Sequence, residues 1–229
     1  MKLIDFHSHI LPRMDHGSRS SQVTLAQLKL MQAAGVDTVC ATSHFYPQEI
    51  LPETFLEARN ASFMRLLEVA GDTPRPQLIL GAEVLICEGL DRMENLRSLC
   101  LEGTDIMLLE MPFSPNAWSS RIFQTVADIA DLGIRPVFAH VDRYPSKLVE
   151  RLFDMGFTAQ LNADSLNRMI KPRHLMHWIR DGHIVAMGSD LHGAAEEAYK
   201  PYIKCCASLK EAPAIMEQTG ILLQNAVRR

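Results

Sequence analysis

His7 and His9 stand one residue apart at the end of an apolar run, Leu3 to Phe6, that reads as a strand. Successive strand residues face opposite sides, so positions i and i+2 point the same way and are placed to share an ion. The same placement recurs down the chain. His44 follows a second apolar run, Glu83 a third, Glu110 a fourth, His140 a fifth, and Asp190 with His192 a seventh. Imidazole nitrogens and carboxylate oxygens suit Zn, Mn or Fe, whereas thiolate-preferring sites would draw on the cysteines. A carboxylate can bridge adjacent ions, a part open to Glu83 or Glu110. Such a set points to hydrolysis, because divalent ions lower the pKa of bound water to about 7 and clamp the attacking and leaving oxygens of an in-line displacement.

The elements that must position these residues follow a repeated pattern. An amphipathic stretch ends in glycine, an apolar run follows, and a polar or ionisable residue closes it. Gly35 to Ala41, Gly133 to Ala139, Gly156 to Leu161 and Gly182 to Met187 all fit. Glycine suits the left-handed residue past a helix, and the apolar run suits a buried parallel strand. Leu3 to Phe6, Leu78 to Ala82 and Ile106 to Leu109 read as strands without that glycine. Helical faces appear at Leu25, Leu28 and Met31, at Phe63, Leu66 and Leu67, and at Ile122, Val126 and Ile129. A closing helix is expected from Pro213 onward. Seven strands alternating with helices imply an α/β fold with a parallel sheet and right-handed crossovers. We read a distorted (β/α)7 TIM-like barrel, with an open doubly wound sheet as the alternative. In a barrel every strand ends on one face, so residues from 7 to 192 would converge there.

The chain has 229 residues, 47% of them hydrophobic and 22% charged, with a formal net charge of −4. No linker-like stretch divides it, and one domain over residues 1–229 is expected. The acidic balance and the lack of a basic stripe disfavour a nucleic-acid partner held by phosphate contacts. No apolar run reaches the ~18 residues of a membrane span, and the amino terminus lacks a signal-peptide pattern. Five cysteines with no CxxC pair point to a reduced, cytoplasmic chain. None is followed six positions later by arginine; those positions hold Tyr46, Met93, Ile106, Glu211 and Ala212. A phosphocysteine mechanism is therefore disfavoured. GxSxG, P-loop and GxGxxG motifs are absent from the sequence. His174 and His177 fall in an expected helix, where they are expected to face solvent or pack between helices, and His183 precedes a strand.

The ordered set of motifs resembles the PHP (polymerase and histidinol phosphatase) superfamily, and within it the bacterial capsule-type metal-dependent tyrosine phosphatases. The resemblance lies in Ile4-Asp5-Phe6-His7-Ser8-His9-Ile10-Leu11-Pro12, Ala41-Thr42-Ser43-His44, Gly81-Ala82-Glu83-Val84, Leu109-Glu110-Met111-Pro112, Ala139-His140-Val141-Asp142-Arg143-Tyr144 and Gly188-Ser189-Asp190-Leu191-His192. It implies a PHP-type barrel and three divalent metal ions (Mn, Fe or Zn) held by nine ligands. Eight match in type: His7, His9, His44, Glu83, Glu110, His140, Asp190 and His192. The ninth is usually an aspartate before glycine; here Asp15-His16-Gly17 puts His16 there. Asp15 as a substitute, or a weakly held third metal, are the alternatives. A second arginine usual after the final histidine is missing, with Lys200 or Arg13 as candidate replacements.

The resemblance implies a phosphomonoester hydrolase acting by metal-bound hydroxide, with a phosphotyrosine-bearing protein as the expected substrate and a link to capsular or exopolysaccharide regulation. Three divalent ions outweigh three carboxylates, so the site favours an anionic substrate. Arg143 is the candidate phosphate grip, through its planar fork of donors. Asp142 is a candidate general acid or a partner orienting Arg143. Asp5 is placed to orient His7 or to face the barrel wall, and Tyr144 and Phe45 to line the mouth or pack in the core. The rival readings are a PHP phosphatase acting on a small metabolite such as histidinol phosphate, a TatD-like nuclease, and a PHP-derived binding module without turnover. Oligomeric state is not legible in the sequence.

Overall fold

The computed structural model describes residues 2–167, 169–193 and 196–225. Its strands are β1 (Leu3–Ser8), β2 (Val36–Ala41), β3 (His44–Phe45), β4 (Gln77–Leu80), β5 (Glu83–Leu85), β6 (Ile106–Glu110), β7 (Arg135–Phe138), β8 (Thr158–Asn162) and β9 (Ile184–Gly188). All pair in parallel. β2 and β3 are halves of one stave interrupted at Thr42-Ser43, and β4 and β5 are halves of another, interrupted at Gly81-Ala82. Hydrogen bonds from Gly81 N to Ala41 O and from Glu83 N to Ser43 O carry the pairing across both breaks. Seven staves result, as the seven apolar runs imply.

The ring closes between the first and last staves. Ser8 bridges Leu191, His9 N donates to Leu191 O at 3.2 Å, and Asp190 N donates to His7 O at 2.8 Å. The fold is therefore a distorted barrel, not an open sheet. β6 and β9 are buried along their whole lengths, which is why they read as unbroken apolar runs.

Helices α1 (Ser21–Ala33), α2 (Pro52–Ala70), α3 (Ser120–Asp131), α4 (Ser146–Asp154), α5 (Arg173–Arg180), α6 (Glu196–Ser208) and α7 (Ala212–Asn225) surround the staves. Local signals explain their starts. Ser20 caps α1 by accepting from Val23 N, Ser119 caps α3 by accepting from Ile122 N, and Pro52 opens α2. The α3 face of Ile122, Phe123, Val126 and Ile129 is buried, as its spacing requires. Gly35, Gly133, Gly156 and Gly182 each precede a strand with φ between +76 and +86. No described helix is long and apolar enough to cross a membrane.

α6 is tied to the first stave through two phenols. Tyr202 Oη donates to Ile4 O at 2.6 Å, and Tyr199 Oη donates to Asp5 Oδ2 at 3.1 Å.

Candidate metal centre

Each stave except the sixth delivers an imidazole or carboxylate to the same end of the barrel, and Glu83 is their meeting point. Its Oε2 lies 3.1 Å from His7 Nε2, 3.2 Å from His9 Nε2 and 3.0 Å from His44 Nδ1, while Oε1 lies 2.7 Å from His140 Nε2. Glu110 stands behind, 3.8 Å from His44 Nδ1 and 3.6 Å from His140 Nε2. On the other side, Asp190 Oδ1 lies 3.3 Å from His9 Nε2 and 3.5 Å from His192 Nδ1. His7 and His9 point the same way, as i and i+2 should, with their Nε2 atoms 3.1 Å apart.

These groups fit divalent cations. Three overlapping triads, His9/His44/His192, His7/His9/Asp190 and His44/Glu83/Glu110, have their donor atoms within 4.8 Å of one another. His9 and His44 each belong to two. His192 Nε2 is buried with no hydrogen-bond partner among the described residues, which is costly unless a cation takes it, and three imidazole nitrogens crowd Glu83 Oε2 without an aligned hydrogen bond. The donor set, all nitrogen and oxygen, suits Mn, Fe or Zn.

Electrostatics show the same crowding. Burial acts to raise Glu83, but His7, His140 and His44 hold it well below the ordinary carboxylate range. Glu110 is pushed up to about 7, first by burial and then by the charge of Glu83. Burial acts to lower His7 and His9; neighbouring carboxylates nonetheless raise both. His192 falls to about 4, through burial and then the charge of His9. A cation bound here would displace protons from His7, His9 and Glu110.

A second layer fixes these groups. Asp15 Oδ2 accepts from His9 Nδ1 at 2.8 Å and from His44 N at 3.1 Å, and Oδ1 accepts from Gly17 N at 2.8 Å. These bonds overcome burial and hold Asp15 below its ordinary range. Gln160 Oε1 meets His7 Nδ1 at 3.2 Å and accepts from His140 N at 2.8 Å. Gln160 Nε2 donates to Asn162 Oδ1 at 3.0 Å, and Asn162 Nδ2 donates to Asp190 Oδ2 at 3.0 Å. These bonds hold the non-glycine residues His140 and Asp190 at φ of 33° and 50°, strained backbone of the kind concentrated at functional sites. Two glycines admit the close packing. A Cβ at Gly188 would sit 2.6 Å from His7 Cβ, and one at Gly17 would sit 2.2 Å from His9 O.

Eight of the nine predicted metal ligands, all but His16, fall in the three triads or, for His140, against Glu83. His16 is exposed and lies outside the triads, yet its ring centroid is 4.4 Å from that of His192 and 5.0 Å from that of His44. Asp15 beside it is engaged in orienting His9. Arg143 is half-exposed, and its Nη2 pairs with Asp190 Oδ2 at 2.5 Å beside a cavity of about 250 Å3 bordered by Asn162 and His192. Asp142 is raised to about 6 by burial, and its Oδ1 accepts from Asn162 N at 2.9 Å. Asp5, raised to about 6 by burial, accepts from the backbones of His7 and Ser189, not from an imidazole. Phe45 is a core residue packed edge-on against Phe55. Tyr144 is buried beside His140, its Oη accepting from Met111 N. Arg13 Nε donates to Arg19 O, and Lys200 lines a groove of about 720 Å3 along α6 with Leu30 and Tyr199.

His183 stacks on Phe153, His174 meets Trp178 edge-on, and His177 faces Asp181 at 3.2 Å. Gln160 and Asn162 are the residues sequence reasoning missed. Their signal was present, a polar i, i+2 pair at a strand end like His7 and His9, but neither ionises.

Comparison with known proteins agrees with this geometry. A family model described as capsular polysaccharide synthesis, CpsB/CapC, matches residues 3–228. The tyrosine-protein phosphatase CpsB of Streptococcus pneumoniae is 30% identical over 224 residues, covering 88% of this chain and 87% of its own length. A structure from work on YwqE of Bacillus subtilis and CpsB of Streptococcus pneumoniae, described as unique metal-dependent tyrosine phosphatases, superposes with a TM-score of 0.77 at 22% identity. It covers 97% of this chain and 95% of that one. A TatD-family hydrolase of Entamoeba histolytica shares the fold, with a TM-score of 0.56 at 8% identity over 98% of this chain and 96% of that one.

Proposed function

The chain belongs to the CpsB/CapC family of capsular polysaccharide synthesis, and from that premise we propose that it is a metal-dependent phosphatase hydrolysing phosphotyrosine on proteins. The observation that carries the reading is the set of three overlapping triads beneath the half-exposed guanidinium of Arg143. His7, His9, His16, His44, Glu83, Glu110, His140, Asp190 and His192 would hold three divalent ions, Mn, Fe or Zn. Such ions supply a nucleophile at neutral pH and neutralise charge on the transferring phosphoryl group.

The chain's own residues do the rest. Arg143 has five N–H donors, and pairing with Asp190 leaves others for the nonbridging oxygens of the ester. Its ion pair with Asp190 also aims the fork before substrate arrives. Asp142 acts through position, pinning the end of β8 so that Asn162 can hold Asp190. Asp15 and Gln160 hold His9 and His7 by their Nδ1 atoms, which leaves Nε2 of each facing the cluster. We place the enzyme in the cytoplasm, as one domain, serving capsular or exopolysaccharide regulation.

The test is metal analysis together with hydrolysis of p-nitrophenyl phosphate, a phosphotyrosyl peptide, histidinol phosphate and single-stranded DNA by protein reconstituted with Mn, Fe or Zn. We expect the phosphotyrosyl peptide to be the best substrate and Arg143→Lys to lower kcat/KM on it about 10- to 100-fold, since lysine cannot make the bidentate contact. Faster turnover of histidinol phosphate or DNA would reassign the substrate. Inactivity of all metal-loaded forms would leave the binding-module reading in its place.

A further inference from the structure

Two aromatic side chains outside the cluster lie on its imidazoles. Phe113 is 58% exposed, and its ring stacks on His140 with centroids 5.8 Å apart and planes 14° from parallel. Tyr46 stacks on His44 in the same way, at 5.3 Å and 17°. Tyr46 follows the second stave and Phe113 the fourth; the third, carrying Glu83, runs between them. His44 and His140 both contact Glu83 and Glu110, so the two rings flank one carboxylate pair.

A single exposed phenylalanine is ordinary on a protein surface. Phe113 differs because the backbone beneath it is fixed. Met111 N donates to the Tyr144 hydroxyl at 3.1 Å, and the Trp118 indole N–H donates to Pro112 O at 2.7 Å. Tyr46 is fixed likewise, its carbonyl accepting from Glu49 N and Ile50 N. Rigid backbone thus holds apolar rings at the wet mouth of a polar site, where burying them would have been cheaper.

Resting on the phosphatase reading, we propose that Phe113 and Tyr46 form an aromatic rim that takes the ring of an aryl phosphate, selecting aryl over alkyl esters. A phosphate on a phenol has its ring directly outside the ester oxygen, where rings stacked on His44 and His140 can meet it. A phosphate on an aliphatic hydroxyl brings peptide backbone there instead. Offset or edge-on contacts between aromatic rings favour the first.

The experiment compares binding of phenylphosphonate and methylphosphonate to the metal-loaded protein by calorimetry, beside kcat/KM on p-nitrophenyl phosphate. Wild type should bind phenylphosphonate about tenfold more tightly, the size expected of a ring pair plus its buried area. Phe113→Ala and Tyr46→Ala should each erode that preference and the double variant abolish it, with methylphosphonate affinity and metal content unchanged. Phe113→Tyr should restore it. Equal binding of the two phosphonates by wild type, or an unchanged preference in the double variant, would overturn the rim. Both ligands are inert to hydrolysis, so this readout is separate from turnover, and inactivity toward every phosphomonoester would overturn the phosphatase reading instead.

Discussion

Gln160 Oε1 lies 3.2 Å from Nδ1 of His7 in the buried floor of the cluster, and the same oxygen accepts from the backbone of His140. One uncharged side chain therefore sets both the ring orientation of His7 and the strained backbone of His140. Gln160→Leu should keep the fold and lower metal affinity about 10- to 100-fold, the usual effect of losing a partner behind a ligand. Competition with a chromogenic chelator measures this, and unchanged affinity would refute the positioning role.

Asp15 and His16 are adjacent but differently engaged, and their variants should separate. His16→Ala is expected to release about one ion per chain after dialysis. Asp15→Ala should weaken binding more broadly, because it frees His9, which belongs to two triads. A full metal complement in His16→Ala, with one ion missing in Asp15→Ala, would make Asp15 the ligand.

Cation binding should release protons. Glu110, raised to about 7, holds its proton at pH 6, and raised values keep His7 and His9 protonated further up the scale. A cation needs all three deprotonated, so affinity should climb steadily from pH 6 to pH 8. Calorimetry at pH 6.5 in buffers of different ionisation enthalpy counts the protons released; a count of zero would contradict this electrostatic picture.

Gly188→Ala places a methyl group 2.6 Å from His7 Cβ and 2.8 Å from Gln160 Nε2. Relief requires β9 or the first stave to shift, which should destabilise the protein by about 1–3 kcal/mol. Thermal unfolding would show it, together with reduced metal content. A stable, fully loaded variant would mean the contact relaxes freely.

Much of this was legible because ligands are ionisable and follow apolar runs. His7, His44, Glu83, Glu110, His140 and Asp190 announce themselves at strand ends, and Gly133 and Gly182 mark where the chain turns back into the barrel. Less legible were the breaks at Thr42-Ser43 and Gly81-Ala82, since a stave that pauses and resumes has no signature in hydropathy. The support from Gln160 and Asn162 was hidden for another reason. Neutral amides at a strand end look like any other polar terminus until the strands beside them are known. Whether the ring closed also depended on backbone contacts between residues about 180 positions apart, which no local pattern encodes.

The seam joining His9 to Leu191 and Asp190 to His7 is built from the residues that carry ligands. An ion held by His7, His9 and Asp190 would therefore act as a clasp on a ring that backbone hydrogen bonds already close. A chain emerging from the ribosome owns His7 and His9 early but cannot complete the His7/His9/Asp190 triad until residue 190 has followed. Of the three triads, His44/Glu83/Glu110 needs nothing beyond residue 110, while the two that contain His9 wait for Asp190 or His192.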